Sequence, residues 1–240
     1  MGVDVDNVTM NQAIGRFKTF MAKDKLHLVC TPNPEIIMRA KQDKSLRDIL
    51  ANADLVVPDG IGVVIASKIL KGTSLKERVA GFDLVQNTMK ISSDKEYKYF
   101  FFGGKPEIAK LASEKMTEKY PNIEVVGYRD GYFDDSETDE IIEEINKSGA
   151  NILLVGLGAP KQEQWIIDNK DKLHNIKVAV GVGGSLDVMS GEVKRAPIAF
   201  QKLGLEWFYR LISEPTRAKR MLVLPKFLIE VIEKRIKSHN

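Results

Sequence analysis

The chain has 240 residues, of which 43% are hydrophobic and 29% are charged, and this composition excludes a disordered protein and suits one sizeable domain with an appendage. A single cysteine, Cys30, excludes an intramolecular disulfide and a multi-cysteine metal site. No apolar run approaches the roughly 20 residues that cross a bilayer, and the N-terminus lacks a basic region followed by an apolar one. We therefore expect a cytoplasmic protein, free or on the inner face of a membrane.

The charge is distributed unevenly along the chain. The net charge is +3, yet the eleven Lys/Arg and four Asp/Glu from residue 194 onward carry +7, which leaves −4 for residues 1–193. A basic tail on a mildly acidic body indicates an anionic surface or ligand for the tail. The sequence thus predicts an α/β core over residues 1–194 and a basic helical appendage over residues 195–240.

The first predicted strand covers residues 26–31 and ends in the rigid turn Pro32-Asn33-Pro34. Thr31 and Asn33 therefore lie at the carboxyl end of a strand, where open α/β sheets bind their ligands. Turn and cap chemistry would explain the same two residues.

The second predicted strand, residues 54–60, ends in Asp59 beside a glycine turn. A carboxylate in this position is suited to act as a general base, and it is equally suited to cap the next helix. Further along, Arg78 offers a guanidinium that binds a diphosphate with two parallel hydrogen bonds. A surface ion pair with Glu77 or Asp83 is the alternative role for Arg78.

Three later predicted strands, residues 97–102, 151–156 and 177–182, each run into glycines and a helix. Glycine lets the backbone approach a ligand closely, and a helix start offers free N–H groups to an anion, although an ordinary turn needs the same glycines. Candidate ligand-binding residues at these turns are Gly103, Gly104, Lys105, Gly156, Gly158, Lys161, Gln162 and Asp187, the last of which suits a ribose hydroxyl pair or a helix cap.

Strands and helices alternate along the chain, which predicts a Rossmann-like α/β fold with a mainly parallel sheet and helices on both faces. The strand ends should then meet at one edge and form one site. A short strand over residues 123–126 precedes a predicted loop, residues 127–133, that reaches across the same edge.

Several site classes are missing from the sequence. The three histidines have no zinc or iron spacing, and neither G-x-S-x-G nor a Walker motif occurs, so we expect no metal cofactor, triad hydrolase or P-loop. Asp4-Val5-Asp6 has the form of an Asp-x-Asp metal motif, but it precedes every predicted element. No nucleic-acid motif accompanies the basic tail.

The tail combines aromatic, apolar and basic residues. An aromatic-rich segment over residues 203–212 precedes a basic one, and a final helix starts at Pro225. That helix carries an apolar stripe made of Phe227, Leu228, Val231, Ile232 and Ile236. This pattern is typical of a helix in a membrane interface. A helical hairpin packed on the core or on another subunit would have the same pattern.

A series of short motifs follows in order along nearly the whole chain: Thr31-Pro-Asn-Pro-Glu35, Pro58-Asp-Gly60, Glu77-Arg78 with Gly81-x-Asp83, Phe102-Gly-Gly-Lys-Pro106, Asp130-Gly-Tyr-Phe133, Gly156-Leu-Gly-Ala-Pro-Lys-Gln-Glu163, Gly181-Val-Gly-Gly-Ser-Leu-Asp187, Arg195-Ala-Pro197 and Leu205-Glu-Trp-Phe-Tyr-Arg-Leu211, then Glu214-Pro215 and Arg217. Together they resemble the WecG/TagA/CpsF glycosyltransferases, family 26. The resemblance is strongest to the branch that transfers N-acetylmannosamine in wall teichoic acid synthesis.

The resemblance implies an inverting reaction without a metal or other cofactor. N-acetylmannosamine moves from UDP-N-acetylmannosamine (UDP-ManNAc) to the 4-hydroxyl of N-acetylglucosamine on undecaprenyl diphosphate, and the new linkage is β-1,4. It also implies a Rossmann-like core, self-association, and an appendage that binds the anionic inner leaflet of the membrane and closes the active site.

Residue roles follow from the resemblance as hypotheses. Asp59 is the general base, Thr31 and Asn33 orient a sugar, and the glycine turns with Gln162 hold UDP. Without a metal, cations must neutralise the leaving diphosphate. The candidates are Arg78, Lys161 and the tail arginines Arg195, Arg210, Arg217 and Arg220.

Three alternatives stay open. The donor sugar is N-acetylmannosamine or its uronic acid, because several cations are available for a carboxylate. The glycine turns alone would also suit a nucleotide-dependent oxidoreductase, and the tail alone a non-catalytic membrane scaffold.

Overall fold

A computed structural model describes residues 2–70, 74–94, 96–213 and 222–237 of the chain. Within these residues a single sheet contains six strands, all parallel, in the spatial order β2-β1-β6-β5-β3-β4. Helices surround this sheet, which confirms the predicted Rossmann-like α/β fold. The strands are β1 (His27–Cys30), β2 (Leu55–Val56), β3 (Lys98–Gly103), β4 (Glu124–Arg129), β5 (Ile152–Gly156) and β6 (Val178–Gly181).

Twelve α-helices lie within the described residues. They are α1 (Met10–Met21), α2 (Pro34–Gln42), α3 (Lys44–Asn52), α4 (Ile61–Ile69), α5 (Gly81–Ile91), α6 (Ile108–Lys119), α7 (Thr138–Ser148), α8 (Lys161–Asn169), α9 (Ser185–Met189), α10 (Ile198–Lys202), α11 (Glu206–Ser213) and α12 (Val223–Lys237). A capping box begins α1, where the Thr9 hydroxyl accepts a hydrogen bond from the Gln12 N–H and the Gln12 side chain accepts one from the Thr9 N–H.

The sheet is covered on both faces, and its central strands are therefore apolar on both sides. Tyr99, Phe100, Phe101 and Phe102 of β3 are fully buried, and alternate ones belong to opposite hydrophobic clusters. Helices α1, α5, α6 and α9 cover one face, and α3, α7 and α8 cover the other. Burying a large side chain stabilises the fold by roughly 1.5–3 kcal/mol, so this strand anchors both layers.

Strand β4 is longer than the sequence indicated. Residues 127–129 were predicted as loop, and this prediction is wrong, because they pair with Phe100, Phe101 and Phe102 of β3. A Cβ at Gly127 would lie 2.4 Å from the Phe100 ring, so glycine here makes room for an aromatic side chain on the neighbouring strand. The register shifts at the same point. A glycine that looks like a turn signal in the sequence therefore lies inside a strand.

Helix α12 packs on the rest of the protein through one of its faces. Phe227 and Val231, one helical turn apart, are 1% and 0% exposed and join a cluster with Ile37 of α2 and Val63 of α4. Lys41 also pairs with Glu230 at 2.6 Å. The division of the chain at residue 194 stays a prediction, but this helix is an integral part of a hydrophobic cluster.

Replacing Phe227 with alanine should lower the free energy of unfolding by about 3–4 kcal/mol, because it empties a buried site. Urea denaturation of the full chain measures this change. The control is Ile229→Ala on the exposed face of the same helix, where we expect a change within about 0.5 kcal/mol. Equal, small effects of both substitutions would contradict the packing of α12 on α2 and α4.

Candidate functional site

The carboxyl ends of the parallel strands meet at one edge of the sheet, and glycine lets neighbouring ends approach closely. A Cβ at Gly103, the last residue of β3, would lie 2.5 Å from the carbonyl of Gly156 at the end of β5. The Gly104 N–H donates to that same carbonyl oxygen at 3.1 Å. Gly103, Gly104 and Gly158 all have positive φ, which side-chain-bearing residues rarely adopt. The predicted glycine turns are thus brought together at this edge.

Asp59 and Thr31 lie side by side at the ends of β2 and β1. Asp59 does not cap α4, which begins after Gly60 without a side-chain cap. Its Oδ2 instead accepts a hydrogen bond, at 3.3 Å, from the N–H of Gly81, the first residue of α5. A Cβ at Gly81 would lie 2.8 Å from the Thr31 side chain, and the Thr31 hydroxyl donates to the Gly181 carbonyl at 3.3 Å. These contacts connect Asp59 to β6 through Thr31.

The environment of Asp59 favours the protonated carboxyl group. Burial raises the pKa of Asp59 from 3.8 to about 6, against the opposing effects of the Gly81 N–H and of the positive charges of Arg78 and Arg210, while Glu206 raises it further. A carboxylate whose pKa lies this close to neutral is suited to accept a proton near pH 7.

Asn33 has the structural role that its turn position allowed. It is the N-cap of α2, where its Oδ1 accepts a hydrogen bond from the Ile36 N–H at 3.0 Å. The next residue, Pro34, packs against Gly62 of α4, since a Cβ on that glycine would lie 2.8 Å from the proline ring. Asn33 thereby helps to hold the turn after β1 against α4, and its contact with a sugar stays a prediction.

Two arginines and two carboxylates form a closed ring of ion pairs at this edge, which we call the charge ring. Arg78 binds Glu206 at 2.5 Å and lies 3.8 Å from Asp83. Arg195 binds Asp83 at 2.6 Å and Glu206 at 3.3 Å, and its guanidinium lies over the Phe82 ring. The ring connects α5 to α11 and to the segment that follows α9. It therefore holds α11 close to Asp59.

Arg210 lies one helical turn after Glu206 on α11, and its charge acts on Asp59. No ion pair joins Arg210 to another described residue. The two remaining tail candidates, Arg217 and Arg220, lie outside the described residues.

The lysines and Asp187 lie around the glycine turns. Lys161 starts α8, and its Nζ lies 4.3 Å from the centre of the Phe133 ring. Both residues line an open depression of about 420 Å³ beside residues 131–134. Lys105 is exposed after Gly104, and Asp187 is partly buried in the first turn of α9.

Gln162 lies beneath the turn after β5 and not at its mouth. Its side chain is buried, its oxygen accepts a hydrogen bond from the Gly183 N–H at 3.0 Å, and its Nε2 donates to Glu163 at 2.7 Å. A direct contact between Gln162 and a ligand stays a prediction.

Two residues that shape the site, Gly81 and Glu206, were not identified from the sequence as site residues. Both lie within motifs quoted above, but their partners, Asp59 and Arg78, are distant in the chain. One signal was available, because Glu206 and Arg210 are four residues apart in a helical segment and must share one face. That spacing predicts two opposite charges presented to the same surface.

We found no group of three or more His, Cys, Asp or Glu side chains suited to a metal ion in the part of the chain that the structure describes. Asp6 of the Asp-x-Asp sequence pairs with Arg16 at 2.6 Å and accepts the Val56 N–H. None of the described helices is both long enough and apolar enough to cross a bilayer.

The chain is similar to known proteins along most of its length. The family model described as "Glycosyl transferase WecG/TagA/CpsF family" matches residues 1–240. A Bacillus subtilis protein named N-acetylglucosaminyldiphosphoundecaprenol N-acetyl-beta-D-mannosaminyltransferase is 39% identical over 86% of this chain and 79% of its own length. A Staphylococcus aureus protein of the same name is 36% identical over 96% of this chain and 90% of its own length.

The fold is that of an α/β protein whose parallel strands all end at one edge of the sheet. The chain belongs to the WecG/TagA/CpsF family of glycosyltransferases. It is accordingly a hexosyltransferase.

The raised pKa of Asp59 predicts a stability change in Asp59→Asn. The pKa of about 6 in the folded state exceeds the ordinary 3.8, so this group stabilises the fold fully below about pH 3.8 and loses that contribution as the pH rises through 6. At pH 7.5 the variant should be more stable than wild type by about 1–2 kcal/mol. The whole rise in the pKa of Asp59 would correspond to roughly 3 kcal/mol of stability, and the contact of this side chain with solvent reduces that value.

Urea denaturation of both proteins at pH 7.5 and pH 4 measures this difference. We expect the gain at pH 7.5 to disappear at pH 4, where the wild-type carboxyl group is largely protonated as well. If the difference in unfolding free energy between wild type and Asp59→Asn is the same at pH 7.5 and at pH 4, Asp59 has an ordinary pKa.

Proposed function

We propose that this protein transfers N-acetylmannosamine from UDP-ManNAc to the 4-hydroxyl of N-acetylglucosamine on undecaprenyl diphosphate, as an early step of wall teichoic acid synthesis. The names of the similar bacterial proteins support the acceptor and the sugar. The observation that carries the mechanism is Asp59, a partly buried carboxylate with a pKa of about 6 at the edge where the strand ends meet.

In this mechanism Asp59 removes the proton of the acceptor hydroxyl as its oxygen attacks the anomeric carbon of the donor sugar. A carbon–oxygen bond forms on one face, the bond to the diphosphate breaks on the other, and the configuration inverts. The proton ends on Asp59 and the electron pair leaves with UDP. Thr31, which contacts Gly81 beside Asp59, is placed to orient the reacting sugar. General-base catalysis of this kind contributes roughly 10²- to 10⁴-fold to the rate.

The leaving diphosphate gains negative charge as the bond breaks and needs a positive partner. Arg78 and Arg210 are the cations whose charges reach Asp59, and Lys161 lies at the start of α8. We expect them to do this without a metal ion. Arg78 already binds Glu206 at 2.5 Å, so a diphosphate that binds Arg78 must displace this carboxylate or share the guanidinium with it.

The acceptor is a lipid, and the outer surface of the C-terminal helices suits a membrane. Ile229, Ile232 and Ile236 of α12 are about half exposed on the side away from Phe227 and Val231. Exposed lysines on the same helix add positive charge, each worth about 1 kcal/mol near an anionic leaflet. Trp207, Phe208 and Ile212 of α11 and Ile198 and Leu203 nearby are exposed as well. We propose that these surfaces bind the inner leaflet, and self-association stays a further expectation.

The transfer is tested by measuring UDP release from UDP-ManNAc with a lipid-diphosphate N-acetylglucosamine acceptor, in EDTA. Wild type should release UDP only when the acceptor is present, and Asp59→Asn should lose roughly 10²- to 10⁴-fold in kcat because it lacks the base. Wild-type kcat/KM should also fall as the pH drops below about 6, the pKa of Asp59.

The matched control for this assay is Glu118→Gln, at the end of α6 opposite the site, which should keep both the rate and the pH profile. Release that requires Mg²⁺ would overturn the metal-free mechanism. Full activity of Asp59→Asn would remove this residue as the base. If UDP-ManNAc gives no release but the uronic acid donor does, the sugar assignment is wrong while the chemistry stands.

Membrane binding is tested with the double substitution Ile232→Ser and Ile236→Ser. Sedimentation with vesicles that contain one quarter anionic lipid should show at least about tenfold weaker binding, because two apolar side chains no longer enter the interface. The unfolding free energy should hardly change, since both residues are exposed.

The matched control is the double substitution Leu111→Ser and Tyr128→Ser, which removes two similarly exposed side chains at the β4 end of the sheet. Vesicle binding should then equal that of wild type. Deleting residues 196–240 is a poorer test, because it would also remove Phe227 and Val231 from their cluster with α2 and α4. Equal vesicle binding by wild type and both variants would contradict docking through α12.

A further inference from the structure

Glu163 is a buried carboxyl group without a role in the chemistry above. It lies on α8 with only 2% of its surface exposed, next to Gln162, which is equally buried. The Oε1 atom of Glu163 accepts a hydrogen bond from Gln162 Nε2 at 2.7 Å. The amide oxygen of Gln162 accepts the Gly183 N–H at 3.0 Å. Glu163 is thus connected through one side chain to the backbone of the turn that follows β6.

This chain of hydrogen bonds fixes which way the Gln162 amide points. The Gly183 N–H needs an acceptor, so it selects the oxygen of Gln162, and the nitrogen then needs an acceptor of its own. Glu163 supplies that acceptor. If Glu163 lacked one, the Gln162 amide would have to bury an unpaired N–H or rotate away from Gly183, and either change is unfavourable.

The space around the pair is closed by a glycine. A Cβ at Gly181 would lie 2.6 Å from Gln162 Nε2 and 3.0 Å from Glu163 Oε1. The carbonyl of the same Gly181 accepts the Thr31 hydroxyl at 3.3 Å. The pair therefore lies directly beneath the end of β6, between Thr31 and the turn at residues 183–184.

The second carboxyl oxygen of Glu163 has no hydrogen-bond partner among the described residues. Burial raises the pKa of Glu163, which favours the neutral acid in spite of the Gln162 amide and the charge of Arg39. If the fold depended on a negative charge at Glu163, a cation should contact this carboxyl group. The ion pairs among the described residues include none for Glu163. Its acceptor oxygen is therefore the property that the fold uses.

We propose that Glu163 is a positioning residue: through Gln162 it holds the Gly183–Gly184 turn in the shape that binds the nucleotide part of the donor. This inference rests on the proposed function, since the turn is expected to bind UDP. Glu163 itself does not contact the substrate, because its side chain is covered. Its loss should weaken nucleotide binding in the ground state and the transition state alike, which raises KM and leaves kcat nearly unchanged.

The experiment compares Glu163→Gln with Glu163→Leu in the full chain. Glutamine keeps the acceptor oxygen and removes the ionisable group, whereas leucine has a similar size and no acceptor. Hydrogen exchange of the Gly183 amide reports on the turn without any ligand, calorimetry gives the UDP affinity, and steady-state kinetics separate KM from kcat. The control is Asn169→Leu, a buried residue of the same helix whose amide donates to the Trp165 carbonyl.

We expect Glu163→Leu to exchange the Gly183 amide at least about tenfold faster, to bind UDP about tenfold more weakly and to have a donor KM about tenfold higher, the cost of one unpaired buried group. Glu163→Gln should stay within about twofold of wild type, whereas a role that needed the negative charge would be lost in this variant. Asn169→Leu should lose stability and keep UDP affinity.

Two results would overturn the inference. One is wild-type exchange and UDP affinity in a folded Glu163→Leu protein, and the other is an equal loss of affinity in Asn169→Leu. Failure of the proposed function looks different. If wild type binds no UDP but Gly183 loses protection only in Glu163→Leu, the positioning role stands and the donor assignment fails.

Discussion

The close approach of strand ends at the carboxyl edge of the sheet is the constraint on which the rest of the site depends. The carbonyl of Gly156 occupies the space that a Cβ on Gly103 would need, and Gln162 and Glu163 occupy the space beside Gly181. A side chain at either glycine would force neighbouring strand ends or α8 apart. Because the backbones approach so closely, residues from β1, β2 and β6 act on one small volume, with Asp59 and Thr31 in contact with the same residue, Gly81.

Structural features that depend on the local sequence pattern could be predicted from the sequence. Alternating apolar runs and glycine turns predicted the parallel sheet, the edge where the glycine turns meet, and Asp59 and Thr31 as neighbours, because parallel strands end on the same side. Pairings between distant residues could not be predicted. Arg78 binds Glu206, which is 128 positions away, and nothing in either segment specifies the other. The length of β4 was missed for a similar reason, since the Phe100 ring that explains Gly127 belongs to another strand.

Burial was the other property that sequence reasoning could not supply. Gln162 and Lys161 are adjacent polar residues, yet one is buried beneath the turn and the other is exposed above Phe133. Helix periodicity separates the two faces, but it does not say which face meets the sheet when both carry polar groups. In α12, likewise, the apolar positions were predicted as one stripe. They form two opposite faces, one in the hydrophobic cluster and one in solvent.

The charge ring has a consequence for how the protein tolerates mutation. Each of its four members has two partners of opposite sign, so Arg78 and Arg195 share both Asp83 and Glu206. The loss of any one side chain leaves each neighbour with one remaining partner, and no half-buried charge becomes isolated. The four ion pairs are therefore partly redundant, because the loss of one side chain removes two of them and leaves the other two in place. For the stability of the fold alone, these four positions therefore need not covary as strictly as an isolated ion pair would.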